Sequence, residues 1–195
     1  MMNRIKFKSK RNYVYLEDNL VYKSLASLIS EKAALAEADI LRKLYMAGVN
    51  VPKVVTISNG VIAMEYIPGI TLTDVIEREN EPPCHLAERI SDWFAAFYKV
   101  FPDKIRGDVN CRNFIITQDK RVFGVDFEEL LSGCKETDLG RLRAFILSYD
   151  PPHTEYKKRL AQALTACFKA HFEINAAFAD IEQDLEIQQM QKRRR

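Results

Sequence analysis

Residues 105–117 read IRGDVNCRNFIIT, a polar stretch that turns abruptly apolar just past the middle of the chain. Asp108 and Asn113 lie five residues apart in it, and the apolar run that begins at Phe114 predicts a β-strand. An exposed turn would explain this pattern. A site for a metal ion and a nucleotide would also explain it, so the choice depends on what the rest of the sequence brings to the same place.

A second apolar run, RVFGVDF at residues 121–127, follows the turn QDK and predicts the partner strand of a hairpin. Because its apolar residues continue up to Asp126, we expect the hairpin to place Asp126 close to Asn113. Carboxylate and carboxamide oxygens suit Mg²⁺, which binds few protein oxygens and completes its shell with waters and phosphates. Asp108 would face the same pocket from the loop, where it could orient or deprotonate an attacking hydroxyl group.

Lys23 lies in the middle of the apolar strand LVYKS, where an unpaired ammonium group that faces inwards is costly. Glu37 falls in the apolar seam of a predicted helix, with apolar residues three positions before it and four positions after it. A pair between Lys23 and Glu37 would relieve both costs and would let the lysine hold nucleotide phosphates. The alternative is an exposed lysine on an edge strand and a surface glutamate.

Strand patterns dominate the first third of the chain and helical patterns the rest, which predicts an α+β fold with two lobes. The shift falls near Ile67–Pro68. We therefore expect an N-lobe over residues 1–67, a small antiparallel β-sheet that carries one helix. A minimal, mostly α-helical C-lobe would follow over residues 68–195 and contain the loop and hairpin at 105–127.

Local signals place the individual elements. Strands are predicted within 11–25 and 50–67, the latter around the turn Ser58–Asn59–Gly60. Helices are predicted over 30–47, 71–79, 85–101, 136–149, 153–174 and 177–190. The aromatic stripe of the 85–101 helix is interpreted as core.

The short stretch AMEYIPG at residues 63–69 falls where the two predicted lobes join, and a cleft between lobes is the usual ligand site. We expect backbone groups from Glu65 to Ile67 to contact adenine. The apolar side chains of Ile115 and Val125 are candidates for gripping the faces of the base.

Bulk composition indicates no strong bias towards nucleic acid or membrane. The formal net charge is +2 over 195 residues, although the ends are basic, with RIKFKSKR at 4–11 and KRRR at 192–195. These ends are interpreted as solvated tails that could also contact a nucleic acid or a protein weakly. No apolar run approaches the ~18 residues of a membrane span, and no signal peptide is visible. Four widely spaced cysteines favour reduced thiols and a cytoplasmic protein.

The ordered motifs VYKS, EADILRKLYMAGVNVPKVV, MEYIPGITL, RGDVNCRNF, GVDFEE and TDLGRL resemble the protein-kinase-like superfamily over roughly residues 20–145. The chain is most similar to its compact atypical members. These are the RIO-type kinases, the small kinase subunit of the tRNA threonylcarbamoyladenosine complex, the lipopolysaccharide-core kinases and the aminoglycoside/choline phosphotransferases.

The resemblance implies a two-lobed fold that uses ATP and Mg²⁺. It also implies a role for each charged side chain. These roles are phosphate binding by Lys23, pairing by Glu37, base catalysis by Asp108, and Mg²⁺ ligation by Asn113 and Asp126. A further carboxylate, Asp138, resembles the helix-start aspartate that braces the catalytic loop in this superfamily.

The sequence departs from the superfamily pattern at several positions. Residues 8–19 contain no glycine, so no glycine-rich loop covers the phosphates, although Lys8, Lys10 and Arg11 could compensate by charge. Arg106 stands where a histidine is usual, and Asn110 stands where protein Ser/Thr kinases carry a lysine. Glu128 and Glu129 follow Asp126–Phe127 in place of the usual glycine, and residues 127–137 are too few for an activation segment.

Two functions follow from these observations. The first is a phosphotransferase that uses ATP and Mg²⁺, with a macromolecule, a glycolipid or a sugar as acceptor. The second is a non-catalytic, kinase-shaped module that binds a nucleotide or a partner. The set of Lys23, Glu37, Asp108, Asn113 and Asp126 favours the enzyme, whereas the missing glycine-rich loop favours the module.

Overall fold

The computed structural model describes residues 4–7, 12–24, 30–128 and 130–194. Its N-terminal part is a five-stranded antiparallel sheet with the strand order β1-β2-β3-β5-β4. The strands are β1 (Ile5–Lys6), β2 (Tyr13–Glu17), β3 (Leu20–Ser24), β4 (Val54–Ser58) and β5 (Val61–Glu65), and α1 (Ser30–Met46) lies between β3 and β4. The helix and both hairpins predicted in this region are confirmed.

The tight turns of this sheet follow from local residue chemistry. Asn59 and Gly60 have φ of 50° and 73°, and Asp18 and Asn19 have φ of 50° and 62°. Two successive residues with positive φ match the right-handed twist of a hairpin, and glycine, asparagine and aspartate adopt this conformation most readily.

The remaining elements are mostly helical. The helices are α2 (Leu72–Arg78), α3 (Pro83–Val100), α4 (Lys135–Ser148), α5 (Glu155–His171) and α6 (Ala176–Arg194). The strands are β6 (Gly69–Thr71), β7 (Lys104–Ile105), β8 (Phe114–Thr117), β9 (Val122–Gly124) and β10 (Leu131–Ser132). The predicted hairpin of β8 and β9 is present, and β6 adds a third antiparallel strand beside β8 that the sequence did not predict.

Secondary structure includes residues 5–6 and 192–194 of the two basic ends. Ile5–Lys6 form the edge strand β1, and Arg4 Nε donates to Glu17 Oε1 at 2.7 Å. At the other end α6 continues through Arg194, and Arg193 pairs with Glu186. The lysines and arginine proposed to compensate for the missing glycine-rich loop, at positions 8, 10 and 11, lie outside the described residues.

The aromatic stripe of α3 forms the centre of the core. Trp93, Phe94 and Phe97 are buried, and the Trp93 and Phe94 rings contact Phe114 at centroid distances of 5.2 and 5.8 Å. Phe94 also contacts Phe168 of α5 at 5.4 Å. The prediction that this stripe is core is confirmed. Within the described part of the chain, no helix has both the length and the apolar character needed to cross a membrane.

Candidate active site

Lys23 and Glu37 form a buried ion pair. The Lys23 Nζ lies 2.9 Å from both carboxylate oxygens of Glu37, and the two side chains are only 6% and 1% exposed. Burial acts to lower the pKa of Lys23, but the carboxylates of Glu37 and Asp126 outweigh it and raise that pKa above its usual value. The ammonium group therefore stays charged, and the geometry of the predicted pair is confirmed.

The segment after β9 brings two more carboxylates to the same ammonium group. Lys23 Nζ lies 2.5 Å from Asp126 Oδ1 and 3.2 Å from Glu128 Oε1, while the amide of Phe127 between them donates to Glu37 Oε1 at 3.0 Å. Burial acts to raise the pKa of Asp126, but Lys23 outweighs it, so that pKa lies below its usual value. Asp126 is thus ionised at neutral pH, and its side chain remains 41% exposed.

Asp108 is exposed on a loop that a buried carboxylate holds in place. Asp138, in the first turn of α4, accepts hydrogen bonds from the Arg106 amide at 2.7 Å and the Gly107 amide at 2.9 Å. It also accepts one from the Tyr98 hydroxyl at 2.8 Å. Gly107 has a φ of 72°, a conformation that glycine adopts without strain. The geometry agrees with the bracing role that the resemblance implies for Asp138.

Arg106 supports the loop from the position where the superfamily usually carries a histidine. Its side chain is fully buried, and its guanidinium carbon lies 3.9 Å above the centroid of the Phe127 ring. One guanidinium nitrogen donates to the carbonyl of Val125. Burial lowers the pKa of Arg106, and the surrounding carboxylates oppose that shift. Arg106 therefore ties the loop to the segment that carries Asp126.

Asn113 lies next to the Asp126 segment, as the hairpin predicts. It ends a short 3₁₀ helix (Cys111–Asn113), and its carbonyl accepts from the Val125 amide at 2.9 Å. Among the described residues, no three His, Cys, Asp or Glu side chains form a group that could hold a metal ion. One carboxylate and one carboxamide nevertheless fit Mg²⁺, which takes its other ligands from water and phosphate.

Two of the four residues predicted to contact adenine line a cavity beside the predicted hinge. Glu65 and Ile67 line a cavity of about 460 Å³ beside the predicted hinge, together with Pro68, Thr117, Gln118, Asp119, Arg121 and Phe123. Ile115 lies in β8, which pairs with β6 and β9, and the carbonyl of Val125 accepts from Arg106. Neither Lys23 nor Asp126 lines this cavity, so the adenine contacts stay a prediction.

Comparison with known proteins identifies the family. The model of the RIO domain matches residues 1–142. The chain belongs to the RIO domain family. This match spans the N-terminal sheet, the Asp108 loop, the Asp126 segment and the part of α4 that contains Asp138.

A solved structure of a kinase family protein has the same fold as this RIO-domain chain. It is the crystal structure of a choline/ethanolamine kinase family protein from Mesorhizobium loti, with a TM-score of 0.59 and 16% sequence identity. The similarity covers 93% of this chain and 86% of that chain. Among curated proteins none matches. The predicted two-lobed protein-kinase-like fold is confirmed, whereas the lobe boundary at 67/68 and the roles of the site residues stay predictions.

Sequence reasoning missed four residues that this RIO domain places around the site. The sequence predicts Tyr98 only as part of the core stripe, whereas its hydroxyl binds Asp138. The sequence marks Glu128 only as a replacement for glycine, whereas it contacts Lys23 and accepts from Asn12. Tyr149 binds Asn110 through its hydroxyl, and Lys157 binds two backbone carbonyls. The one available signal in the sequence is that Lys157 precedes Leu160 by three positions and Leu164 by seven, which places it on the apolar face of α5.

Proposed function

We propose that this RIO-domain protein is an ATP- and Mg²⁺-dependent phosphotransferase that transfers the γ-phosphoryl group to a hydroxyl acceptor. One observation carries the proposal. The Lys23 ammonium group lies 2.9 Å from Glu37 and 2.5 Å from Asp126, which joins the N-terminal sheet, α1 and the segment after β9 at one point. Phosphoryl transfer depends on positioned charges of this kind rather than on covalent chemistry by the protein.

Each side chain has a defined task in this proposal. Lys23 binds phosphate oxygens, and Glu37 keeps the ammonium group in place. Asn113 and Asp126 would hold Mg²⁺, whose charge offsets that of the phosphate oxygens. Asp108 accepts a hydrogen bond from the acceptor hydroxyl and takes its proton as the acceptor oxygen bonds to the γ-phosphorus, while the bond from that phosphorus to the bridging oxygen breaks and ADP leaves.

The acceptor site is open in this proposal. The stretch between the predicted hinge and the Asp108 loop holds only α2, α3 and the short strands β6 and β7. The superfamily members that phosphorylate small molecules build their acceptor pockets from insertions in this region, according to the resemblance. We therefore propose a macromolecule, a glycolipid or a sugar as acceptor. A cytoplasmic location stays a prediction.

The experiment compares ATP binding and ADP release for the wild type, Asp126→Asn and Asp103→Asn. Asp103 is a matched control because it is an exposed aspartate in the turn before β7. We expect Mg²⁺-dependent ATP binding in the wild type and in Asp103→Asn. In Asp126→Asn we expect binding to weaken by at least about tenfold, since a charged ligand to the metal is lost. Equal binding in all three proteins would contradict the proposal.

Two observations favour the alternative of a non-catalytic nucleotide- or partner-binding module. Lys23 contacts a third carboxylate, Glu128, at 3.2 Å, and residues 8–19 contain no glycine. An ammonium group already surrounded by three carboxylates attracts phosphate less strongly than a free one. ATP binding without ADP release, for every acceptor class tested, would support this alternative.

A further inference from the structure

We propose that Tyr149 is a positioning residue for the catalytic loop. Its hydroxyl holds the side chain of Asn110, and the Asn110 backbone amide donates to the carboxylate of Asp108. This inference rests on the proposed function in one respect only, which is that Asp108 acts as the base. The hydrogen bonds themselves do not depend on that role.

Lys157 of α5 fixes the backbone on which Tyr149 lies. Its side chain is only 1% exposed, and its Nζ donates to the carbonyls of Tyr149 at 3.0 Å and Pro151 at 2.6 Å. Within the described part of the chain Lys157 forms no ion pair, so backbone carbonyls are what offsets the burial of its charge. A buried ammonium group with such partners is costly to move. The segment 149–151 is therefore held firmly against α5.

The Tyr149 side chain carries this support to the loop. Its hydroxyl donates to Asn110 Oδ1 at 3.0 Å, and the same oxygen accepts from the Arg112 amide at 3.0 Å. Burial raises the pKa of Tyr149, so the hydroxyl keeps its proton and acts as a donor. Asn110 is thus held from two sides at the start of the 3₁₀ helix.

The last link reaches the carboxylate that we assign as the base. The Asn110 amide donates to Asp108 Oδ1 at 3.1 Å, and the Asp108 amide donates to the Arg106 carbonyl at 2.9 Å. Asp108 is exposed, so these contacts within the loop fix its orientation. Asn110, at the position of the usual kinase lysine, supports the loop rather than offering a positive charge.

The test compares Tyr149→Phe with Tyr156→Phe. Tyr156 is a matched control because its hydroxyl is buried and has no hydrogen-bond partner among the described residues. Loss of the Tyr149 hydroxyl should speed amide hydrogen exchange in residues 108–113 by about three- to tenfold and leave other loops unchanged. It should lower kcat by a similar factor and leave KM for ATP within about twofold. Tyr156→Phe should change none of these quantities.

A double-mutant cycle shows whether the hydroxyl acts through Asn110. In an Asn110→Ala background, Tyr149→Phe should change loop exchange and kcat clearly less than it does in the wild-type background. Loop exchange that is the same in Tyr149→Phe and Tyr156→Phe would overturn the inference, and so would additive effects in the cycle. A wild type that releases no ADP would count against the proposed function, while the exchange measurement would still decide this inference.

Discussion

Lys23 is the residue at which three carboxylates meet one ammonium group. Glu37 makes two contacts of 2.9 Å and Asp126 one of 2.5 Å, whereas Glu128 lies at 3.2 Å with its side chain 40% exposed. Glu128 is thus the most weakly held of the three. Because nucleotide phosphates would bind the same ammonium group, Glu128 competes with them for it.

Removing the charge of Glu128 should therefore strengthen nucleotide binding. We expect Glu128→Gln to bind ATP about two- to fivefold more tightly, since an exposed charge contributes less than about 1 kcal/mol. Glu77→Gln, at an exposed glutamate of α2, is the control and should leave the affinity unchanged. Isothermal titration calorimetry measures both. Weaker binding by Glu128→Gln would mean that Glu128 helps to hold the nucleotide.

The pair between Asp126 and Lys23 should make stability depend on pH in a defined direction. The pKa of Asp126 is lower in the folded chain than in the unfolded chain. The pair therefore stabilises the folded protein at pH values above the unfolded pKa of about 4, and this stabilisation is lost as the pH falls further. The difference in free energy of unfolding between the wild type and Asp126→Asn should then shrink between pH 5 and pH 3. Urea unfolding measures it. If the difference in free energy of unfolding increases as the pH falls, the predicted direction of the pH dependence is wrong.

Among the elements, those with strong local signals were predictable and those that depend on a distant partner were not. The helix over 85–101 follows from its aromatic stripe, and the turn at Asn59–Gly60 follows from its residue types. The short strands β6, β7 and β10 have two or three residues each, too few for a periodic pattern. Strand β6 forms only because β8 supplies its hydrogen-bond partners, and β7 and β10 form only because each supplies partners to the other. Sequence spacing does not show such partners.

Helix α4 contacts the Asp108 loop through the side chain of Asp138, so a substitution of Asp138 tests how far the loop depends on this helix. Asp138→Ala would leave one buried amide, one partly buried amide and the Tyr98 hydroxyl without an acceptor, so we expect a loss of about 2–4 kcal/mol in the free energy of unfolding. Tyr98→Phe removes only one donor and should cost about 1 kcal/mol. Chemical denaturation compares the two. Equal losses would indicate that the backbone amides do not depend on Asp138.

In the whole molecule, the sequence predicts those contacts of the candidate site in which opposite charges have to pair. It does not predict the contacts in which a side chain binds the backbone. Lys23 and Glu37 are both costly if buried alone, so the sequence indicates the pair. Arg106 donates to one backbone carbonyl, and Lys157 donates to two. No residue pattern marks such partners, because every residue carries a carbonyl group.

The two lobes are also joined away from the site. The carbonyl of Asn50, which precedes β4, accepts from the Trp93 indole at 3.0 Å and from the Gly124 amide at 3.1 Å. Gly124 lies against the Trp93 ring so closely that a Cβ at this position would be 2.2 Å from a ring carbon. Asn50, Trp93 and Gly124 therefore fix the loop before β4 to α3 and to β9, two residues before Asp126.

A ligand that binds Lys23 and Asp126 together should therefore stabilise the chain as a unit. At a concentration one hundred times its dissociation constant, ATP with Mg²⁺ should add about 2.7 kcal/mol and raise Tm in a single transition. Lys23→Met should lose most of this shift relative to its own unliganded Tm, whereas Lys43→Met, at an exposed lysine of α1, should keep it. Differential scanning fluorimetry over a range of ATP concentrations measures the shift. Absence of a shift in the wild type at millimolar ATP would exclude nucleotide binding at Lys23 and leave partner binding as the function of this RIO domain.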